Sequence, residues 1–487
     1  MKLATSIAKP TMALALLCTA SFSQAMAQEA SSDVRPWGSA FRSVFGDSLE
    51  KNHKIGVLGW TEGTLAESNN DIADTLQPSG IGQSILPQGL FTQNEGATLN
   101  QAGAMLCRGD GCPTVMFGPQ HNVLGRIGPT PAPRGDAFDL GFNVTVMYGQ
   151  DIFFLKTLGF DDWDSDADAQ NKWAITQWYL DFYLPILDGM NLMVGSFQTP
   201  LANEIGYPFT PPNWFASHTY AFAHGPAKHV GALAQFKVPT SKDFGLLSFD
   251  AGVVTGWNVL ESPNDDPSFI GGVRWRSTNM KTWVDVEAIY GNGANDFTNF
   301  VNVDGGSITG WRATGGGSPY PVFTSTGEYL DRFDGYLVIT HQATDRLAFA
   351  LEATYGYQKG GSASSFFLLA PISILEDSEW YGANLGVRYM LDKNLFVNAR
   401  AEWFNDPNAA HILWRSVGAG GGDVYAFTAN VSWDPIPWLT VRPEVRYDVY
   451  TGLGNLFAPV YQGGPLQNQL ATEDQQFTFM LNGVSRF

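Results

Sequence analysis

The chain has 487 residues, of which only 15% are charged, well below the roughly 25% usual in soluble domains. Aromatic residues reach 13% and glycine occurs 53 times, a composition that suits a surface facing lipid better than one facing water. The 47 acidic residues outnumber the 28 basic ones and give a net charge of −19, which excludes nucleic acid as a favourable partner.

The N-terminus has the three parts of a secretory signal peptide. Lys2 and Lys9 supply positive charge, the run TMALALLCTASF is apolar, and residues 25–27 (AMA) form a small-x-small cleavage motif. We therefore expect residues 1–27 to be removed by cleavage near Ala27. The rest of the sequence has no apolar run near the ~18 residues that a spanning helix needs, so a helical membrane protein is excluded.

Residues 28–52 are predicted to contain a short amphipathic helix. Trp37, Phe41, Val44, Phe45 and Leu49 recur there at helical spacing. Such a helix either plugs the lumen of a following barrel or rests at its periplasmic mouth. A lead-in helix is the simpler interpretation.

Alternation with a period of two dominates residues 53–487. In residues 424–434 aromatic and aliphatic residues alternate with small or polar ones, and in residues 439–448 apolar residues alternate with polar and charged ones. Repeated segments of about ten such residues are typical of strands with one face toward lipid and the other toward water. The sequence therefore predicts an all-β fold, a transmembrane antiparallel β-barrel of about 16 strands, within a range of about 14 to 18.

The connections between these segments are alternately short and long, as expected for short periplasmic turns and long extracellular loops. Short polar turns are predicted at 187–191, 239–243, 277–281, 342–346, 391–394 and 434–438, and long loops near 205–226, 292–332, 359–378, 405–423 and 450–473. Residues 107–136 form a long connection where a short turn is expected. Either they are a periplasmic insertion, or the first two strands, predicted at 53–66 and 90–106, are misplaced.

Cys107 and Cys112 are the two cysteines outside the predicted signal peptide, in the spacing C-R-G-D-G-C. An exported protein meets an oxidising compartment, which favours a disulfide between them. A metal site would need further Cys or His ligands nearby, and only His121 is close. We therefore expect a loop disulfide, no metal and no cofactor.

The C-terminus alternates up to a terminal phenylalanine. One face carries Phe477, Phe479, Leu481, Gly483, Ser485 and Phe487. This pattern is similar to the terminal strand that barrel-assembly machinery recognises in outer-membrane proteins. It predicts that the chain lies in the outer membrane of a Gram-negative cell, surrounded by lipid and lipopolysaccharide.

Aromatic residues near the predicted strand ends are expected to form the girdles at the two membrane interfaces. They are Trp173, Trp283, Tyr290, Trp380, Tyr389, Trp403, Trp433, Trp438 and Tyr447.

Several strings along the chain form a recognisable series. A Gly-x-Phe-x-Thr-Pro motif at 195–200 precedes a Ser-His-x-Tyr motif at 217–220 and a Gly-Pro pair at 225–226, and the strings SFIGGVRW, AEWFNDP and WLTVRPEVRYD follow. This series resembles the OmpL-like outer-membrane β-barrel porin family over roughly residues 50–487. The resemblance implies an outer-membrane barrel and a porin, and it implies no catalytic residue and no particular substrate.

The selectivity of an open barrel is set by charged side chains on its lumen face. The alternation places these residues there: Arg274, Arg276, Asp285, Glu287, Arg388, Arg400, Glu402, Arg442, Glu444, Arg446 and Asp448. Opposed charges across a narrow lumen would favour ions, amino acids or sugars over apolar solutes. Alternatively, the charges pair across neighbouring strands and hold the wall together.

The loop near residues 205–226 is the candidate for narrowing the lumen, because it is aromatic and proline-rich. Its aromatic residues are Phe209, Trp214, Phe215, Tyr220 and Phe222. The apolar run 366–375 is a second candidate, and contact with another subunit explains it equally well. Residues 161–168 begin like a calcium loop, but Ala169 and Ile175 stand where an EF-hand has Gly and Glu, so a solvated acidic loop is favoured.

Together these features predict a porin for passive diffusion of small polar solutes or ions. A substrate-selective or plugged channel is one alternative, and a barrel that acts as a hydrolase or an adhesin is another. A hydrolase is disfavoured because Ser217 and His218 are adjacent and would point to opposite faces of an extended segment. Other barrels of about this size suggest a homotrimer.

Overall fold

A computed structural model describes most of the region in which strands are predicted. The described residues are 38–70, 96–109, 112, 137–157, 159–161, 171–207, 213–262, 266–291, 303–304, 307–308, 331–359, 377–408, 421–452, 454–462 and 468–487. The predicted signal peptide, most of the acidic stretch 161–168 and the apolar run 366–375 therefore lie outside them.

The predicted N-terminal helix is present as two short helices, α1 (Ser39–Phe45) and α2 (Ser48–His53). They are separated at Gly46, which has a φ of 70° and ends α1 in a left-handed conformation that favours glycine. Two further helices, α3 (Ile152–Leu155) and α4 (Tyr220–His224), lie in later connections. No helix in the described ranges is both long and apolar enough to cross a membrane.

Sixteen antiparallel strands in the described part of the chain close into a barrel. The strands in chain order are β1 (Ile55–Ser68), β2 (Gly96–Arg108), β3 (Asp139–Gly149), β4 (Lys172–Leu184), β5 (Met190–Gln198), β6 (Lys228–Val238), β7 (Leu246–Val254), β8 (Ser268–Arg276), β9 (Thr282–Gly291), β10 (Val303–Asp304), β11 (Ser307–Ile308), β12 (Arg332–Gln342), β13 (Leu347–Gln358), β14 (Ser378–Asp392), β15 (Leu395–Asp406), β16 (Gly422–Ile436), β17 (Leu439–Gly452), β18 (Phe457–Gln462), β19 (Asn468–Glu473) and β20 (Gln475–Arg486). The barrel omits the hairpins β10–β11 and β18–β19, so β9 pairs with β12 and β17 pairs with β20.

The barrel closes where β20 pairs with β1. At this seam the backbone N–H of Gly59 donates to Phe487 O at 2.8 Å, and Phe487 N–H donates to Gly59 O at 2.9 Å. Closure leaves no sheet edge unpaired, which matters because hydrocarbon offers no partner to a free backbone N–H or C=O. The predicted fold class and strand number are therefore confirmed.

The two ends of the barrel differ in the length of their connections. At one end, named here the short-turn end, the strands are joined at 185–189, 239–245, 277–281, 343–346, 393–394 and 437–438. The connection 109–138 lies at the same end, so the first two strands are placed nearly as predicted, with β2 beginning at Gly96 instead of residue 90, and the connection between β2 and β3 is a long one among short turns. Cys107, the penultimate residue of β2, forms a disulfide with Cys112 across a Cα–Cα distance of 5.0 Å.

Side chains alternate between the two faces of the barrel wall as the sequence predicts. Outward positions carry large apolar residues, among them Phe427, which is 56% exposed, whereas the inward positions on either side of it are buried. Six of the predicted girdle residues point outward and are exposed: Trp173, Tyr290, Tyr389, Trp403, Trp433 and Tyr447.

Trp283 and Trp380 correct the girdle prediction. They are 2% and 0% exposed and lie on inward positions of β9 and β14. Their place in a strand fixes their direction, and the parity of the register puts both inside the barrel.

Candidate functional site

One long loop folds into the barrel instead of extending away from it. It comprises residues 199–227, between β5 and β6, and we name it the inward loop; residues 208–212 lie outside the described part of the chain. Trp214 and Tyr220 of this loop are 3% and 0% exposed and belong to apolar clusters with inward residues of the barrel wall. A loop with aromatic side chains buried in the lumen narrows it.

The first half of the inward loop is fastened to strands β2 and β4. Gln101 on β2 donates to the carbonyl oxygen of Gly206 at 2.8 Å. The hydroxyl of Tyr207 lies 2.9 Å from both the Thr176 hydroxyl and the Gln177 amide nitrogen on β4. Because these partners are buried, each hydrogen bond satisfies groups that would otherwise be costly to bury.

Glu204 fastens the same part of the loop to the opposite wall. Its Oε1 accepts a hydrogen bond from Arg400 on β15 at 2.6 Å, and its Oε2 accepts from Thr219 N at 2.8 Å and lies 3.5 Å from His218 Nδ1. Burial alone would raise the pKa of Glu204, but the Arg400 guanidinium, His218 and the Thr219 backbone lower that pKa to about 2. The carboxylate is therefore ionised at neutral pH.

Glu444 on β17 holds the middle of the inward loop. Its carboxylate accepts from Ala216 N at 2.7 Å, from Ser217 N at 2.9 Å and from Ser217 Oγ at 2.6 Å. Asn430 on β16 donates to the same carboxylate at 2.8 Å and to the carbonyl oxygen of Trp214 at 2.9 Å. Ala216 and Ser217 are thus held by one carboxylate, and Asn430 links that carboxylate to Trp214.

Two arginines of β17 donate to loop carbonyl oxygens. Arg442 donates to Phe215 O at 3.0 Å and lies 3.3 Å from Glu62 on β1. Arg446 donates to His218 O at 2.8 Å. Both side chains thus face the inward loop and not open water.

Tyr220 inserts between acidic residues of β15 and β17. Its hydroxyl donates to Asp448 at 3.0 Å, and its backbone N–H donates to Glu402. Arg446 completes the group, since its Nη2 lies 2.8 Å from Asp448 and 3.4 Å from Glu402. Within this cluster one guanidinium faces two carboxylates.

The short helix α4 ends the inward loop against β12. His224 Nε2 lies 3.2 Å from a carboxylate oxygen of Asp334, and Tyr336 donates from its hydroxyl to Ala221 O at 3.2 Å. Burial, together with the positive charge of Arg332, lowers the pKa of His224 well below its usual value. The imidazole is therefore neutral in this contact.

The chain matches one protein family over nearly all of the barrel. The family is described as "Putative beta-barrel porin-2, OmpL-like" and matches residues 57–487. The chain belongs to this family. It is thus an outer-membrane β-barrel porin, as the motifs quoted above imply.

Solved porin structures resemble this porin in fold at low sequence identity. The anion-selective porin from Comamonas acidovorans is 9% identical, with a TM-score of 0.48 over 89% of this chain and 99% of that chain. OprB from Pseudomonas putida is 11% identical, with a TM-score of 0.49 over 94% and 100%. OmpF from Salmonella typhi is 11% identical, with a TM-score of 0.47 over 90% and 99%. No curated protein matches the sequence.

The structure of this porin divides the predicted lumen charges into groups. Arg400, Glu402, Arg442, Glu444, Arg446 and Asp448 surround the inward loop, as described. Arg274, Arg276, Asp285 and Glu287 form a second cluster on β8 and β9, where the Nε of Arg274 also lies 2.7 Å from Asp250 on β7. The members of this second cluster pair across neighbouring strands, in line with the alternative that such charges hold the wall together.

Arg388 on β14 differs from the other predicted lumen arginines. Its guanidinium carbon lies 3.9 Å from the ring centroid of Phe396 and 5.7 Å from that of Trp214. Within the described residues Arg388 forms no ion pair, and its side chain is partly exposed.

The aromatic residues predicted for the inward loop are partly accounted for. Trp214, Phe215 and Tyr220 are buried, and Phe222 is half-buried and stacks on His218 at 4.1 Å between ring centroids. Phe209 lies outside the described residues.

Sequence reasoning missed several polar residues of the site: Glu62, Glu204 and Asn430, together with Glu352, which accepts from Asn203 N, and Asn398, which donates to Trp214 O at 3.4 Å. Alternation could have placed those on strands at inward positions. Nothing in the sequence marks Glu204, because its role depends on which strand the loop meets.

The neighbouring Ser217 and His218 have separate partners. Ser217 Oγ donates to Glu444, and His218 lies beside Glu204, so they do not form a nucleophile and base pair. In the described ranges no group of three or more His, Cys, Asp or Glu residues is placed to hold a metal ion.

Proposed function

We propose that this porin is a constricted channel through which small polar solutes and ions diffuse passively. The observation that carries the proposal is the inward loop, which crosses the lumen and is fastened to β2, β4, β12, β15 and β17. Because the inward loop is bound to strands on opposite sides of the barrel, the opening that remains for solutes is narrower than the lumen would be without the loop. The path is polar because the inward positions around the loop carry ionised and amide side chains.

The measurement that tests this proposal is the single-channel conductance of the refolded protein in a planar bilayer. Stepwise openings of small amplitude are expected, and the reversal potential under a salt gradient gives the ion preference. Liposome swelling provides the size limit, and arabinose should enter faster than raffinose. A folded barrel that conducts no ions would contradict the proposal.

A substrate-selective channel is the second candidate function. It is favoured by the near-complete burial of the lumen arginines around the loop, of which Arg446 is 0% and Arg400 4% exposed. Such a channel would conduct little salt and would admit one class of solute much faster than others of the same size. Swelling assays with sugars, amino acids and small carboxylates separate the two candidates.

We also propose that the chain is processed after Ala27, that its barrel extends over residues 53–487, and that it assembles as a homotrimer in lipopolysaccharide-containing membrane. Recognition of the strand ending at Phe487 by barrel-assembly machinery belongs to the same proposal. Mass spectrometry of the protein extracted from outer membranes tests the N-terminus, and native mass spectrometry tests the trimer.

A further inference from the structure

Arg388 lies on the lumen face of the barrel and forms no ion pair with any described residue. Arg388 pairs with Ala348 on β13 and Asn398 on β15. Both partners are buried and point inward, so the Arg388 side chain also points into the barrel. The five other predicted lumen arginines each form an ion pair with a carboxylate or lie within a charge cluster, whereas Arg388 forms none in the described ranges. The cost of leaving this charge without an ion partner among the described residues points to a ligand.

No donor atom of Arg388 is hydrogen-bonded to a described residue. Its Nε is buried and has no hydrogen-bond partner in the described part of the chain. The terminal nitrogens also form no hydrogen bond there, and Arg388 as a whole is partly exposed. A guanidinium with free donors in one plane matches the two oxygens of a carboxylate.

Aromatic rings lie against this guanidinium, and Asp434 and Arg442 are close enough to act on it electrostatically. The Phe396 ring lies under the cation at 3.9 Å, and the Trp214 ring centroid is 5.7 Å from it, with an indole N–H that also lacks a partner in the described residues. Met390 is partly buried against the same cluster as Trp214. A ligand whose oxygens contact this guanidinium would therefore place its remaining atoms against the rings of Phe396 and Trp214 and the thioether of Met390.

Trp214 is held in this position by the barrel wall. Asn398 and Asn430 donate to its carbonyl oxygen at 3.4 Å and 2.9 Å. Its ring lies over Gly386, where an added Cβ would come within 3.5 Å of the indole. Since both β14 and the loop contribute residues, this arrangement of side chains exists only when the inward loop is docked.

We propose that Arg388, Phe396 and Trp214 form a binding site for small carboxylates that carry an aromatic group, on the side of the inward loop nearer the short-turn end. The inference rests on the proposed function, because the site would act on solutes that cross the lumen. Arg388 binds the carboxylate. The rings of Phe396 and Trp214 favour a carboxylate with an aromatic substituent over one with a methyl group. The site would retain such a solute beside the narrowest part of the path.

The first test uses the folded full chain in detergent micelles and does not depend on conduction. Benzoate binding, followed by saturation-transfer NMR, should be saturable in the wild type, and acetate should bind much more weakly. Arg388→Gln should weaken benzoate binding at least about tenfold, a ratio that corresponds to about 1.4 kcal/mol. Equal binding of benzoate and acetate, or equal binding by both proteins, would overturn the proposal.

A matched control is Arg346→Gln, which removes one positive charge in the exposed turn 343–346 at the same end of the barrel. It should keep the benzoate affinity of the wild type. Arg388→Lys serves as a second variant, in which charge is retained but the planar pair of donors is lost, and it should also bind benzoate more weakly. If Arg388→Gln does not fold, the comparison of benzoate with acetate in the wild type still decides the question.

The second test measures channel current. In the wild type benzoate should interrupt the salt current reversibly, and acetate should not. Absence of any salt current in folded protein would contradict the proposed function alone, because the NMR experiment would still report on the site. A normal salt current that benzoate never interrupts, together with no benzoate binding by NMR, would overturn the site and leave the channel intact.

Discussion

Glu204 is a loop carboxylate surrounded by donors and cations, and its contribution to stability should depend on pH in a defined direction. Its pKa is lowered from the ordinary value of 4.5 to about 2 in the folded protein. The stabilisation is therefore fully present above about pH 4.5 and is lost as the pH falls toward 2. Glu204→Gln should lower the free energy of unfolding by about 2 kcal/mol at neutral pH.

Urea unfolding in lipid vesicles, followed by tryptophan fluorescence, measures this difference. The gap between wild type and Glu204→Gln should be constant from pH 7 to pH 5 and should shrink below that. Asp345→Asn, in the exposed turn 343–346, controls for the loss of one negative charge. A gap that widens on acidification would show that Glu204 is not stabilised as an anion.

The inward loop is the element on which the proposed function depends most, and Glu444 on β17 is one of its main anchors, together with Arg400 on β15. The carboxylate accepts three hydrogen bonds from Ala216 and Ser217, and hydrogen bonds to charged groups contribute about 1.5 to 3 kcal/mol each. Glu444→Gln replaces one acceptor oxygen by a donor that faces these N–H groups. The loop should detach locally, and single-channel recordings should show a larger and noisier open current.

Two comparisons make the Glu444→Gln result specific. Asp345→Asn should leave the current unchanged, since its side chain is exposed in a short turn. Glu444→Gln should also raise the entry rate of raffinose relative to arabinose in swelling assays. An unchanged size limit would mean that the loop does not set the width of the path.

The strands were predictable because one face of each strand contacts lipid and must be apolar. The sequence therefore alternates between apolar outward residues and small or polar inward residues. The parity of that pattern also placed Glu444 and Arg446 on the inner face. The girdle prediction failed for Trp283 and Trp380 because it rested on their nearness to strand ends, where a tryptophan suits an interface, and not on parity, which puts them inside with Asp285 and Arg388. The partners of the lumen charges were not predictable either, since Glu444 lies more than 200 residues from Ser217 in sequence.

Closure of the whole barrel pairs the first strand, β1, with the last strand, β20. At this seam the terminal Phe487 contacts Gly59. Gly59 on β1 lies directly beneath the Phe487 ring, so close that an added Cβ would stand 2.1 Å from it. Because Gly59 also exchanges two backbone hydrogen bonds with Phe487, neither residue can move away without opening the seam. We therefore expect Gly59→Val to slow or prevent closure.

Folded barrels of this kind resist SDS unless heated, so the fraction that keeps its compact mobility in unheated samples measures closure. Gly59→Val should lower this fraction severalfold, both in refolded protein and in isolated outer membranes. Gly483→Ala is the matched control, because it lies on β20 at the same seam and an added Cβ there meets no atom within 4 Å. If both variants close as the wild type does, the contact between Gly59 and Phe487 is dispensable, and the backbone pairing of β1 with β20 is sufficient to close the barrel.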